Sequence, residues 1–301
     1  MRSRFLTCIP TAFPFKRDTS YLFFSSGQQE IHLSKLFSRS EKTDPKMNLE
    51  QFRLHAEVEE KHWWFCGRRR IMRELVHRIA PPARDVTVVD IGCGTGGNIA
   101  SLAEDYTCFG IDRSEEAIRL ARSRFPNVRF VCGSDLDLSE VGGRVRIFLL
   151  MDVLEHVPDD SVFLSGLLKQ LRPGDYLLLT VPADMGLWSP HDVSFGHYRR
   201  YDIRQLETLC SAQPVAIRLI SYFNARLYPL VKTVRTLSRL RGRTWGSAGT
   251  DLKMPAWPLN GLLKRIFEGE AEALVNLLET KRSRGYGFGV SLVALLRREE
   301  G

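Results

Sequence analysis

Along most of the chain, the pattern of apolar and polar positions predicts strands and helices that follow one another in turn. Short apolar, β-branched runs, each about as long as a buried strand, occupy residues 86–91, 107–111, 128–132, 145–151 and 176–181. Segments with helical spacing follow at 99–103, 114–124, 161–171 and 201–210, and two further strand-like runs occupy 215–222 and 290–296. Because strands that alternate with helices build parallel sheets, this order predicts an α/β fold with helices on both faces of the sheet.

The chain before residue 47 differs in composition from the rest. Residues 1–46 interleave arginines with phenylalanines and then become serine-rich, without a helical or strand period. We predict a disordered extension or an artefact of the assigned start codon, with an acid-poor transit peptide as the alternative. The predicted domain covers residues 47–301. It begins with a helical segment at 47–58, an aromatic and arginine-rich stretch at 62–70 and an amphipathic helix through Ile79.

A segment of about sixty residues separates the last two predicted strands, far longer than the usual connection. In this insertion, residues 223–284, apolar residues from Phe223 to Leu240 recur at helical spacing. Pro229 is expected to start or kink that helix, a loop follows at 246–258, and a second helix is predicted over 259–278. The pattern fits a lid, a dimer contact or a helix in a membrane interface. Because basic residues, Arg235 among them, and apolar residues lie on opposite sides, we predict a lid that also contacts anionic membrane.

The first strand runs directly into a glycine-rich turn. Glycines let the backbone bend sharply and approach a ligand, and the helix that follows offers free N–H groups to that ligand. Gly92, Gly94 and Gly97 match the spacing of a dinucleotide binder. Gly96 in place of Gly97 gives the spacing of a binder of S-adenosylmethionine (SAM). Asp90 favours SAM, because a carboxylate at the tip of the strand repels a pyrophosphate and attracts the ammonium and sulfonium of SAM.

Two motifs carry a resemblance to a known family. Val-Asp-Ile-Gly-Cys-Gly-Thr-Gly at 89–96 resembles the first motif of the class I SAM-dependent methyltransferases. Met-Asp-Val-Leu-Glu-His-Val at 151–157 is similar to a signature of those that act on quinone precursors and other small acceptors. The resemblance implies a Rossmann-like seven-stranded sheet with its last strand antiparallel, an N-terminal helical cap and SAM as the cofactor. The late helical insertion departs from the minimal fold.

The resemblance also assigns the residues that hold the cofactor. Asp112 ends the second strand and accepts the ribose hydroxyls, and Arg113 lies along the adenine. An acidic residue after the third strand, Asp135 or its neighbour Asp137, takes the adenine amino group, and Leu136 packs on the ring. The full predicted set is Asp90, Gly92, Cys93, Gly94, Gly96, Asp112, Arg113, Asp135, Leu136, Met151 and Asp152.

Histidines, aromatics and arginines cluster after the fourth and fifth strands, where open α/β sheets bind ligands. His156 and His197 are the candidate catalytic bases, since a hydroxyl acceptor must lose its proton and histidine exchanges protons near neutral pH. Asp152, Glu155 and His156 match the spacing at which some quinone-type relatives hold a divalent metal. Because most relatives with this motif need none, we predict no metal. The predicted acceptor contacts are Trp64, Arg68, Trp188, His191, Tyr198 and Arg199.

The charge and the cysteine content of the chain limit which classes of partner and which compartment are expected. The formal net charge is +8, with many arginines in the C-terminal third, which suits an anionic membrane, an acidic substrate or nucleic acid. A nucleic-acid methyltransferase is disfavoured, because the chain lacks the Asn-Pro-Pro-aromatic segment after the fourth strand; an NAD-dependent oxidoreductase is the other alternative. The six cysteines form no C-x-x-C pair, as in reduced cytosolic proteins. We therefore predict a cytoplasmic SAM-dependent methyltransferase, peripheral at the membrane, for a hydroxyl or similar group of a small-molecule, sugar or lipid-linked acceptor.

Overall fold

The computed structural model describes residues 49–133, 138, 141–246, 250–280 and 285–300. The strands within these residues are β1 Val86–Ile91, β2 Thr107–Asp112, β3 Arg129–Cys132, β4 Val145–Met151, β5 Tyr176–Pro182, β6 Val215–Phe223 and β7 Ser291–Arg298. They form one sheet in the order β3-β2-β1-β4-β5-β7-β6. Strands β1 to β5 pair in parallel, whereas β7 runs antiparallel to both β5 and β6. This confirms the predicted Rossmann-like sheet with its last strand antiparallel.

Helices cover both faces of the sheet. In the described part of the chain they are α1 Leu49–Val58, α2 Trp63–Ile79, α3 Gly97–Ala100, α4 Glu115–Arg124, α5 Asp160–Lys169, α6 Pro190–Ser194, α7 Ile203–Ser211, α8 Tyr228–Arg241, α9 Leu259–Glu268 and α10 Ala271–Thr280. Short 3-10 turns occupy Leu154–His156 and Met185–Leu187. None of these helices combines the length and the apolar composition needed to cross a bilayer.

Alternate residues of the central strands belong to two separate apolar layers. Val88 of β1 is in the layer that includes Leu75 of α2 and Phe267 of α9. Its neighbour Val89 is in the layer on the opposite face, which includes Leu164 of α5. Because both faces are covered, a central strand must be apolar along nearly its whole length. This is why β1 and β4 were recognisable as largely apolar runs rather than alternating ones.

The predicted strands and most predicted helices are confirmed within two residues of their ends. Ser114 caps α4 as expected, accepting the Ala117 N–H at 3.2 Å. The second insertion helix was predicted as one element over 259–278, which is wrong, because the chain bends between α9 and α10. At the bend the Glu270 side chain is buried and accepts the backbone N–H of Arg226 at 2.9 Å. Pro229 lies in the first turn of α8 and starts that helix. Residues 1–46 lie outside the described residues.

Helix α2 packs closely against α9 because Gly67 of α2 has no side chain. A Cβ at Gly67 would overlap the buried ring of Phe267, so Gly67→Ala is expected to lower the free energy of unfolding by about 1–2 kcal/mol. Overpacking costs more than the roughly 1 kcal/mol that alanine contributes to a helix. Gly261→Ala in α9 is the control: a Cβ there meets nothing within 4 Å, so stability should stay level or rise. Urea unfolding measures both; equal effects would contradict this packing.

Candidate active site

A cavity of about 1020 Å³ lies at the carboxyl ends of β1, β2 and β4. The glycine-rich turn, the N-terminal helices, the turn after β4, the segment around residue 197 and the insertion all contribute to its walls. This volume is at the upper end of the range for ligand sites, ~300–1,000 Å³. Most predicted site residues line it: Trp64, Arg68, Gly92, Cys93, Gly94, Asp112, Arg113, Met151, Asp152, His156, His191, His197 and Tyr198.

Asp112 fixes the glycine-rich turn in place. Its carboxylate accepts the backbone N–H of Gly94 at 2.9 Å and that of Ser114 at 2.8 Å. Burial raises the pKa of Asp112, although these two hydrogen bonds favour its charged form. Gly94 has a left-handed backbone (φ +53°), and a Cβ there would meet nothing within 4 Å. The turn therefore presents bare backbone to the cavity, beside a carboxylate that is already anchored.

Asp90 lies elsewhere than expected. It is fully buried, is not among the residues that line the cavity, and has no hydrogen-bond partner for either oxygen among the described residues. Burial raises the pKa of Asp90 to about 8, so the group is mostly neutral at pH 7. This corrects the expectation of a charged carboxylate beside the ligand, on which the electrostatic argument for SAM depended.

Other predicted residues also fall outside the cavity. Gly96 lies behind the turn, where a Cβ would press on the Phe130 ring. Trp188 does not line the cavity. Arg199 forms an ion pair with Asp160 at 2.7 Å, so its side chain is held away from the cavity wall. Asp135 and Leu136 lie outside the described residues. The expectation that Trp188 and Arg199 contact the acceptor is therefore corrected.

The N-terminal helices close one side of the cavity through Arg68. This guanidinium forms an ion pair with Asp152 and lies 4.4 Å from the centre of the Trp64 ring. It also reaches the Asn98 side chain at 3.4 Å, and Thr180 donates to Asp152 at 3.1 Å. Asp152 has a left-handed backbone, φ +56°, which turns the chain sharply at the end of β4. These contacts link α2 to the carboxyl end of β4, as expected of a helical cap.

The two predicted bases meet at the cavity wall. The rings of His156 and His197 are 4.7 Å apart between centroids. Burial, together with the neighbouring His197 and Arg113, lowers the pKa of His156 to about 3. His197 instead places its Nδ1 3.0 Å from Oδ1 of Asp192. The two histidines therefore differ in chemistry, because a carboxylate supports only one of them.

Asp192 is the centre of a buried charge network that the sequence did not reveal. It has no exposed surface, and it accepts from Arg200 at 2.8 Å and from Arg235 of α8 at 3.3 Å. Burial raises the pKa of Asp192, but the hydrogen bond from His197 and the two guanidinium charges outweigh it and hold that pKa well below its usual range. The only local signal was the capping box at Ser189, in which Asp192 returns to the Ser189 backbone.

Arg235 and His191 belong to the same buried network. Arg235 also pairs with Asp251 at 3.4 Å, and its side chain is only 12% exposed. The backbone N–H of Asp251 donates to Nδ1 of His191 at 2.9 Å. Burial lowers the pKa of His191 well below its usual range. Arg235, expected on the exposed basic side of the insertion, therefore ties α8 to the cavity wall.

Three potential metal ligands lie together beside the cavity. One ligand atom each from Glu155, His156 and His197 lies within 4.8 Å of the others. The expected spacing motif used Asp152, but Asp152 is engaged by Arg68. Burial, with the nearby charge of Asp152, raises the pKa of Glu155 well above its usual value, which disfavours the charged form that a cation prefers. The absence of a bound metal stays a prediction.

Comparison with known proteins identifies the family. Residues 66–226 match the family model described as a methyltransferase domain. The trans-aconitate 2-methyltransferase of Azoarcus sp. is 35% identical over 118 residues, 38% of this chain and 46% of that protein. The 2-methyl-6-phytyl-1,4-hydroquinone methyltransferase of Synechocystis sp. is 30% identical over 131 residues, 42% of this chain and 40% of that one. The chain thus spans less than half the length of these relatives.

The solved structures that match this chain are more distant in sequence. The plantazolicin methyltransferase BamL, in complex with a desmethylPZN analog and S-adenosylhomocysteine (SAH), has a TM-score of 0.47 at 14% identity, over 89% of this chain and 94% of that one. The family model alone covers more than half of the chain. This chain therefore belongs to the class I SAM-dependent methyltransferases.

Proposed function

We propose that this protein transfers the methyl group of SAM to an oxygen atom of a small acceptor, with His197 as the base. The observation that carries the proposal is the buried Asp192–His197 pair, 3.0 Å apart, at the wall of the cavity that contains the glycine-rich turn. A hydroxyl acceptor loses a proton on methylation, and a histidine supported by a carboxylate is suited to take it.

The residues of the cavity fit the cofactor of the family. Gly92 and Gly94 have left-handed backbones, so the turn exposes N–H groups without side chains in the way. We assign Asp112 to the ribose hydroxyls and Arg113 to the adenine, with Asp135 as the predicted partner of the adenine amino group. Bound SAM supplies an electrophilic methyl group. The protein contributes alignment and electrostatics.

His197 is a better base than His156. A base with a pKa near 3 takes a proton weakly at neutral pH, and burial holds His156 there. In His197 the Asp192 carboxylate stabilises the imidazolium that forms when the ring accepts the proton, and it fixes which ring nitrogen faces away from Asp192. We therefore assign proton removal to Nε2 of His197 and a packing role to His156.

The acceptor is proposed to be a small molecule, a sugar or a lipid-linked compound with an apolar portion. Val231, Val234 and Leu259 of the insertion line the cavity, which gives that side an apolar wall. The relatives named above act, by their names, on trans-aconitate and on a phytyl hydroquinone. Nucleic acid is disfavoured, because the segment after β4 reads Asp-Val-Leu-Glu and not Asn-Pro-Pro-aromatic, and because Arg200 and Arg235 at the cavity wall are paired with Asp192.

Removing the ribose partner should weaken the cofactor. Asp112→Ala is expected to weaken SAM binding by about 1–3 kcal/mol, roughly 5–150-fold, because the hydroxyls lose a charged acceptor. Asp85→Ala is the matched control, since Asp85 is exposed, pairs with Arg144 at 2.7 Å and precedes β1 at its amino end. Calorimetry measures both. Equal SAM affinity in wild type and Asp112→Ala would contradict the assignment.

A transfer assay tests the function itself. The protein is incubated with SAM labelled in its methyl group and with cell extract, which is then separated into lipid and aqueous fractions. We expect label in an oxygen-methylated product with wild type and its loss with Asp112→Ala. Label confined to nitrogen or carbon positions would contradict oxygen as the accepting atom.

A further inference from the structure

Helix α8 passes from the cavity wall to an uncovered apolar surface. Val231 and Val234 line the cavity. Further along, Leu237 and Leu240 are 40% and 76% exposed. Positions 230, 234 and 237 follow one another at three- and four-residue steps, so the apolar side of the helix is continuous from the cavity to solvent.

The segment that leads into α9 extends this surface. Trp257 is 89% exposed and Leu262 is 56% exposed. The opposite side of α9 is occupied, because Leu263 and Phe267 are buried in the apolar layer with α2. Trp257 and Leu262 are therefore not part of the apolar layer that holds α9 on the fold. We call the exposed residues Leu237, Leu240, Trp245, Trp257, Leu259 and Leu262 the insertion face.

The charge around the insertion face is mostly positive. Between residues 228 and 267 the sequence has eight lysines and arginines and a single acidic residue, Asp251. Arg235 pairs with Asp192 and Asp251 at 3.3 and 3.4 Å, and Lys264 pairs with Glu268 at 3.7 Å, which leaves six of the eight basic residues without an ion pair among the described residues. Arg241 and Arg243 are exposed, and Arg241 stacks on the Trp245 ring at 4.0 Å.

We propose that the insertion face docks on the surface of an anionic lipid bilayer. Leucine and tryptophan side chains enter the boundary between headgroups and acyl chains, and nearby arginines pair with anionic headgroups. Since Val231, Val234 and Leu259 also line the cavity, docking brings its apolar wall next to the bilayer. An acceptor with an acyl or isoprenoid-like chain then reaches the site without crossing water. This last step rests on the proposed function, whereas docking itself does not.

Charge argues against a second copy of the chain as the occupant. A symmetric dimer through this face would place two basic surfaces against each other, and like charges repel at short range. An anionic bilayer offers the complementary charge and an apolar layer in one surface.

Vesicle sedimentation tests the proposal with the full chain. We expect binding to phosphatidylcholine vesicles that contain phosphatidylglycerol, weak binding to phosphatidylcholine alone, and loss of binding at high salt. Trp257→Ala should weaken binding about tenfold. Arg241→Gln with Arg243→Gln should weaken it about 25-fold, at about fivefold for each charge. Val162→Ser is the control, because Val162 is 51% exposed on α5, outside the insertion, and it should bind like wild type.

The results of this assay distinguish docking on a bilayer from other uses of the insertion face. Equal binding to neutral and anionic vesicles, or no binding at low salt, would overturn it. Dimerisation that Trp257→Ala abolishes, without vesicle binding, would assign the face to a second copy instead. Calorimetric titration with SAM on the same samples distinguishes failure of docking from failure of the proposed function. Binding of SAM without binding of vesicles would contradict docking on the bilayer but would leave the proposed function intact.

Discussion

Replacing His197 with alanine is expected to lower turnover by about 10²–10⁴-fold while SAM affinity stays nearly unchanged. The ring of His197 lines the cavity and its Nδ1 is 3.0 Å from Asp192, so the substitution removes the proposed proton acceptor. It leaves Asp112 and the glycine-rich turn in place. Steady-state rates on the acceptor found in extract, with calorimetry for SAM, measure the two effects separately.

His156→Ala is the matched comparison, because the two rings touch the same part of the cavity. With its pKa near 3, His156 contributes little proton transfer at neutral pH, and its removal should cost far less turnover. Full activity in His197→Ala, or a larger loss in His156→Ala, would reverse the assignment. Equal small losses of turnover in both variants would indicate that neither histidine acts as the base and that alignment of the reactants accounts for catalysis.

Acidification is expected to destabilise the fold well above the pH at which carboxylates titrate. Burial lowers the pKa of His55 and His156 to about 3 and that of His62 to about 4, and it lowers that of His191 well below its usual range. The unfolded chain protonates these histidines near pH 6.5. Stability is therefore fully present above that pH and is lost as pH falls toward the folded values.

Two carboxyls partly offset this loss. Burial raises the pKa of Asp90 to about 8 and that of Glu155 well above its usual value, so the folded protein keeps two protons that the unfolded chain releases above pH 4. Four histidine protons against these two leave the unfolded chain with about two more. Between pH 6.5 and 4.5 the free energy of unfolding should fall by up to about 5 kcal/mol, and by less where Asp112 and Glu270, whose pKa values burial also raises, keep protons in the folded state.

Urea unfolding across this pH range measures the dependence. His62→Asn is a suitable control: His62 caps α2 by accepting the Trp64 N–H, and asparagine is also a good cap. The variant should retain the fold, and its free energy of unfolding should depend on pH with a slope that is smaller by about one proton. Stability that is flat or rises as pH falls would contradict buried neutral histidines.

The sequence predicts those parts of the fold whose causes are local. The strands β1, β4 and β5 are largely apolar because both faces of the sheet are covered there, and Ser114 caps α4 through a backbone N–H only three residues away. The break between α9 and α10 has a different cause. Glu270 meets the backbone of Arg226, which lies far away in sequence, so helical spacing over 259–278 gave no sign of it.

The same distinction divides the candidate site. Asp112 and Gly94, which line the cavity, were predicted as site residues because a motif places them at a strand end and in a turn. Arg199 and Arg200 are adjacent, yet Arg199 pairs with Asp160 whereas Arg200 is buried against Asp192. Helical or charge patterns do not show which of two neighbouring side chains turns inward. Arg235 was misplaced for the same reason, since its partner Asp192 comes from a different element.

We propose that the cavity at the carboxyl ends of β1, β2 and β4 binds SAM. Calorimetric titration of the purified protein with SAM, SAH and NAD, in parallel with Asp112→Ala, tests it most directly. We predict that SAM and SAH bind, that Asp112→Ala weakens both, and that NAD does not bind. Binding of NAD without binding of SAM would contradict the account.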